Sequence, residues 1–201
     1  MIAIRIEMGS AVVRRAGRNG ERIVVAKADA GFAPSLVWLV HPACERLTLR
    51  FGDVYGVYCG SAPGRPGERI EPLAVIYPAR DLAYAALAVG FRHADALRPP
   101  LGHYGIRNDA EVPLAAGLVQ AVRVAGARVL APINVAFLAP RRAAEFVPVR
   151  DVLVWLADDV APGFVLSEIP ERALRLAYDT RRADWLCTYD PDTERFTIPG
   201  S

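Results

Sequence analysis

Apolar residues recur at every second position through much of the first 77 residues, and a chain patterned this way must pair with neighbours in a sheet. Ile2, Ile4, Ile6 and Met8 alternate with Ala3, Arg5 and Glu7. Val12 and Val13 extend the pattern towards Arg14 and Arg15, and Asn19-Gly20 then precedes the run Arg22 to Lys27. Both Asn and Gly tolerate positive φ, so the dipeptide predicts a hairpin that pairs residues near 10–15 with residues near 22–27. Further strands are expected over 35–40, 46–51, 54–59 and 69–77. Gly52-Asp53 supplies one turn, and the glycine- and proline-rich stretch 60–67 a loop.

The pattern changes after residue 78. Residues 79–89 are good helix formers, apolar nearly all round, and predict a buried helix. A second helix is expected from Pro113, with Leu114, Leu118, Ala121, Val122 and Ala125 as its stripe and Gly126 as its stop. Ser167 is a suitable N-cap for a third over 168–178. Strands are expected over 127–138 and 149–156, and a terminal hairpin around the turn Asp190-Pro-Asp-Thr193. Residues 92–111 read as a long irregular connection. The sum is an α+β fold: a β-rich antiparallel sheet or sandwich with about three helices packed at one side. One domain over 1–201 is expected, β-rich over 1–77 and mixed over 78–201. Regular βαβ alternation is absent, which excludes a doubly wound parallel sheet.

The length of 201 residues and a hydrophobic share of 53% suit a substantial core. The net charge of +2 makes the chain as a whole no attractant for nucleic acid. Its basic residues are peculiar: Lys27 is the only lysine among 24 Lys and Arg. Gln120 is the only glutamine, and asparagine occurs at 19, 108 and 134 alone. GC-rich coding explains such a bias, and scarce amides also fit a thermophile. No apolar run follows a basic start, so no signal peptide is expected and synthesis is placed in the cytoplasm. No stretch of about 20 uncharged apolar residues is present to span a bilayer. Cys44, Cys59 and Cys187 are odd in number and lack metal-ligand spacing, so neither a disulfide framework nor a metal site is expected. The glycines of 60–67 lack the lysine and hydroxyl residue of a phosphate loop, so no cofactor is expected.

Two sets of side chains are candidates for function. His103, Arg107 and Asp109 on the 92–111 connection, with Asp158 after the strand ending at Ala157, would supply a base, an anion clamp and carboxylates. The pairs Arg14-Arg15, Arg141-Arg142 and Arg181-Arg182 suit phosphate recognition, because the guanidinium fork matches phosphate oxygens. A solvated loop and a solvated arginine surface account for the same residues. The absence of a catalytic signature, the apolar content and the strand-rich order favour a non-catalytic structural or assembly subunit of a virion, appendage or ribonucleoprotein. It would act as a homo- or hetero-oligomer through protein–protein contacts, with apolar patches expected near 54–58 and 196–198. A nucleic-acid-binding module, and a small hydrolase or transferase with its site on the 93–111 loop, are the rivals.

Overall fold

The computed structural model describes residues 1–28, 36–61, 68–80, 83–94, 97–148, 150–166, 168–178 and 183–200. In chain order these form β1 (Ile2–Glu7), α1 (Ser10–Asn19), β2 (Arg22–Ala28), β3 (Val37–Pro42), β4 (Arg46–Ser61), β5 (Pro72–Ile76), β6 (Ala83–Leu87), β7 (Gly90–His93) and β8 (Tyr104–Asn108). There follow β9 (Leu114–Val124), β10 (Ala127–Pro132), β11 (Ala136–Leu138), β12 (Ala143–Phe146), β13 (Asp151–Ala157), β14 (Leu174–Ala177), β15 (Asp184–Asp190) and β16 (Arg195–Thr197).

Three sheets result. The largest runs β10-β9-β4-β1-β15-β16, with β11 also on β9 and β5 also on β4. The second runs β14-β13-β2-β3 and the third β12-β8-β6-β7. Pairing is antiparallel except between β1 and β15 and between β6 and β8. One apolar cluster draws on all three sheets: Ile4, Ile6, Leu49 and Leu118 from the large sheet, Ile23, Val25 and Val154 from the second, Tyr84 and Ile106 from the third. A smaller cluster, including Tyr58, Val119, Leu36 and Ile70, covers one end of the large sheet's other face.

The structure corrects the expected fold class. It is β-rich with a single short helix among the described residues, not α+β with three helices at one side. The expected helix over 79–89 holds β6, the one starting at Pro113 is β9, and the one over 168–178 contains β14. The physical reason is burial on both faces. In β6 the first four residues are all buried, and in β9 so are the first seven. A strand covered on both sides shows no alternation, and its apolar run cannot be told from a buried helix by period.

The opposite error occurs at residues 10–19, which form α1 and not a hairpin strand. Val12 and Ala16, four apart, are its buried positions, while Arg14 and Arg18 face out. Asn19-Gly20 is therefore a helix end. Gly20 sits at φ 74, and the helix closes through its N–H onto the Ala16 carbonyl, the left-handed stop that glycine permits. Two smaller differences follow. The strands expected over 46–51 and 54–59 are one strand, β4, interrupted at Gly52-Asp53 by a bulge and not a turn. The 92–111 connection contains β8 and the end of β7.

Candidate functional site

The residues expected to form a catalytic group are placed in separate surroundings, apart from one pair. Arg107 and Asp109 do come together: Arg107 Nε and Nη2 donate to Asp109 Oδ1 and Oδ2 at 2.6 and 3.0 Å, and Arg92 Nη2 also donates to Oδ2. Hydrogen bonds from both guanidinium groups hold the Asp109 carboxyl well below the usual carboxylate range. Its side chain is only 3% exposed and its oxygens are occupied by the two arginines. His103 lies four residues from Arg107, about 14 Å along an extended strand. Its Nδ1 is 3.7 Å from Glu145 Oε2. Asp158 belongs to a different sheet, at the end of β13, beside a hollow lined by Asn19, Gly20, Arg22, Asp159 and Phe164. Proton transfer needs hydrogen-bond reach, and these placements supply it only within the Arg107–Asp109 pair. No cluster of three or more His, Cys, Asp or Glu suited to a metal occurs among the described residues. Cys44, Cys59 and Cys187 are free thiols, and burial pushes that of Cys187 up to about 12.

The arginine pairs are divided. Arg15 donates to Tyr189 Oη at 2.9 Å and to Glu194 Oε1 at 3.1 Å, so it ties α1 to the β15–β16 hairpin. Arg141, at φ 65, pairs with Glu111 at 3.1 Å. Arg14 and Arg142 are exposed. Arg181 and Arg182 lie outside the described residues.

The most unusual side chain is one that sequence reasoning treated as composition. Lys27 is fully buried on β2, in the core between the second sheet and the large one. Its Nζ stands over three rings, 4.3 Å from the centroid of Phe51, 4.6 Å from Tyr178 and 4.9 Å from Trp38. It donates to Tyr178 Oη at 3.0 Å. Tyr178 Oη lies 3.3 Å from Tyr55 Oη, which donates to Asp53 Oδ1 at 2.8 Å. With Tyr55 donating outward, one consistent direction runs from the ammonium through two hydroxyls to a carboxylate at the surface. Burial pulls the lysine down to about 7, against the opposing pull of Asp53 and Asp151. Burial also pushes the Tyr55 phenol far above its ordinary range.

The bulge in β4 makes room for this network. Phe51 faces Val122 and Tyr55 faces Gln120, so β4 spends two more residues than β9 between those pairs. Gly52 leaves the ladder there, and Gln120 Nε2 caps its carbonyl at 2.8 Å. Trp38 Nε1 donates to the Gln120 backbone carbonyl at 3.3 Å, which holds the third ring in place. An amine near pKa 7 can be a nucleophile or base when substrate reaches it. Lys27 is enclosed, and its contacts are internal: it locks two sheets together.

The buried polar side chains among the described residues share one signal. They are Lys27, Asn108, Gln120 and Asn134, which are the only lysine, the only glutamine and two of the three asparagines. Asn108 Nδ2 donates to the carbonyls of Val112 and Leu138, and its Oδ1 accepts from Ala110, all at 2.8 Å. Asn134 Oδ1 accepts from Leu118 N, bridging the gap between β10 and β11. Gly117 lies against the Asn134 carbonyl, where a Cβ would collide. Asn108, Gln120 and Asn134 each bond backbone groups that would otherwise lack a partner, whereas Lys27 bonds the Tyr178 hydroxyl.

No family model, curated protein or solved structure matches the chain. No helix among the described residues is long and apolar enough to cross a membrane.

Proposed function

We propose that this protein is a non-catalytic subunit of a larger assembly, of the ribonucleoprotein or virion type, and that it self-associates through strand β5. The observation that carries the reading is the apolar edge at β5. This strand has β4 as its one sheet partner among the described residues, and its Leu73 and Val75 side chains are 54% and 41% exposed. A hydrophobic strand with an open edge is a template for a further strand, and a monomer ordinarily blunts such an edge with charge. The apolar surface does not lie where alternation suggested. Tyr55, Val57, Tyr58 and Phe196 are buried, and of those two stretches Val54 is the large apolar side chain that stands out.

The occupant of the β5 edge is a second copy of the chain. Light scattering at rising concentration should give a dimer or larger species, and Leu73→Lys with Val75→Lys should return it to a monomer with an unchanged circular dichroism spectrum. A wild-type protein that stays a monodisperse monomer at high concentration overturns the reading.

A further inference from the structure

The exposed face of the large sheet carries arginines that face one another. Arg50 on β4 is the cross-strand partner of Arg123 on β9, and Arg123 is the partner of Arg128 on β10. All three are exposed, and none makes an ion pair with a described residue. Like charges directly opposite in neighbouring strands are destabilising. Three in a row oppose the fold unless something anionic covers them.

Two hollows flank the Arg50–Arg123 pair. One, of about 580 Å³, is lined by His41, Arg46, Thr48, Arg50 and Arg123 together with the Ala125-Gly126 turn. The other lies towards Arg128, Met1 and Tyr77. Neither lining includes a carboxylate. Acidic side chains lie towards the edges of this face: Glu7, opposite Arg46, lines a further hollow with Arg46 and Glu45, and Asp184 lies at the far side of Ala3 from Arg50. The Arg128 guanidinium stands over the Tyr77 ring at 5.3 Å.

We propose that this face binds the backbone of single-stranded nucleic acid, with Arg46, Arg50, Arg123 and Arg128 on phosphates of one strand. The spacing suits it. Arg46 and Arg50 are about 14 Å apart along β4, and the row to β10 spans about 10 Å more, a path matched by a few nucleotides of one strand. Charge repeats regularly along a phosphodiester chain, whereas an acidic protein offers carboxylates set among apolar side chains. The first hollow's lining sets its arginines, histidine and threonine among Cys44, Leu47 and Ala125. The stacked Arg128–Tyr77 pair offers a base a flat surface at one end of the path. This inference deepens the assembly reading by naming a second component, and the two can fail separately.

The test is fluorescence anisotropy with a labelled oligo-dT strand. With three or four phosphates neutralised, at about 0.7 ions released each, affinity should fall roughly 20- to 50-fold between about 50 and about 200 mM salt. Arg50→Gln with Arg123→Gln should weaken binding at least about tenfold at the lower salt, and its salt slope should be shallower by about 1.4. Arg14→Gln with Arg18→Gln on α1 should bind like wild type. Oligomeric state should be the same in both variants, and Leu73→Lys with Val75→Lys should still bind the strand. Three outcomes overturn the inference: no wild-type binding at about 50 mM salt, undiminished binding by the Arg50 and Arg123 variant, or displacement of the strand by polyglutamate as readily as by unlabelled oligo-dT. Tighter binding of a duplex than of the single strand also overturns it.

Discussion

Two cationic regions lie back to back on β4, one residue apart in sequence. Phe51 points inward over Lys27, while Arg50 points outward beside Arg123. Inside, a single lysine is held by three rings and a hydroxyl, and burial has pulled its amine down to about 7. Outside, arginines crowd together fully charged, because water and salt screen their repulsion. The comparison separates two uses of positive charge. The buried amine places its charge inside the fold, on three rings and a hydroxyl, and the exposed guanidiniums present theirs to solvent.

The largest expected effect tests whether packing or charge holds the inner site. Lys27→Ala empties a site enclosed by aromatic rings and should cost about 2–5 kcal/mol in urea unfolding. Lys27→Met keeps the stem's volume and removes the desolvation of the amine, so it should cost under about 1.5 kcal/mol at pH 7 or even stabilise. Equal losses in the two variants would mean that the ammonium, and not the volume, holds the box together.

The next effect is a pH dependence confined to the inner region. The folded value of Lys27, about 7, lies below its ordinary 10.5. Between these values the unfolded chain holds a proton that the folded chain has lost, so stability rises as pH rises. From pH 7 to about 9 the gain should reach about 2–3 kcal/mol. From about pH 8 the buried thiols, and at higher pH the phenols, act oppositely, since their folded values are raised and the unfolded chain ionises first. Unfolding midpoints should therefore climb from pH 7 to 9 in wild type and fall slightly in Lys27→Met. A climb retained in the variant would place its source elsewhere.

The smallest effect belongs to the outer face and has the opposite sign. Arg123→Thr removes the middle of the arginine row and should stabilise the protein by about 0.2–1 kcal/mol at low salt. The gain should vanish near 1 M salt, where the Debye length is about 3 Å. The same change should weaken binding of oligo-dT, so stability and binding move apart at this position. A destabilised Arg123→Thr would show that the row is neutralised within the fold.

Several strands were legible in the chain. β1 and the hairpin of β15 and β16 follow from alternation and turn chemistry, because each has one face in a core and one towards solvent. The rarity of Lys, Gln and Asn also pointed at Lys27, Gln120, Asn108 and Asn134, although composition alone did not say that they are buried. The bringing together of Arg107 and Asp109 was legible too, since they are two apart on one strand end.

Local pattern thus determined that the chain would pair as strands, where several of them lie, and which polar residues were exceptional. The tertiary structure decided the rest. β6 and β9 carry helix-like sequence and are strands because a second layer covers their outer faces and erases the alternation. Residues 10–19 carry strand-like valines and form a helix because Val12 and Ala16 fall on the one face that meets the core. Neither the ring of Trp38, Phe51 and Tyr178 around Lys27 nor the alignment of Arg50, Arg123 and Arg128 has a local signature. The lysine site gathers residues far apart in sequence, and the arginine row joins the β9–β10 hairpin to distant β4, so strand register sets which of them face one another.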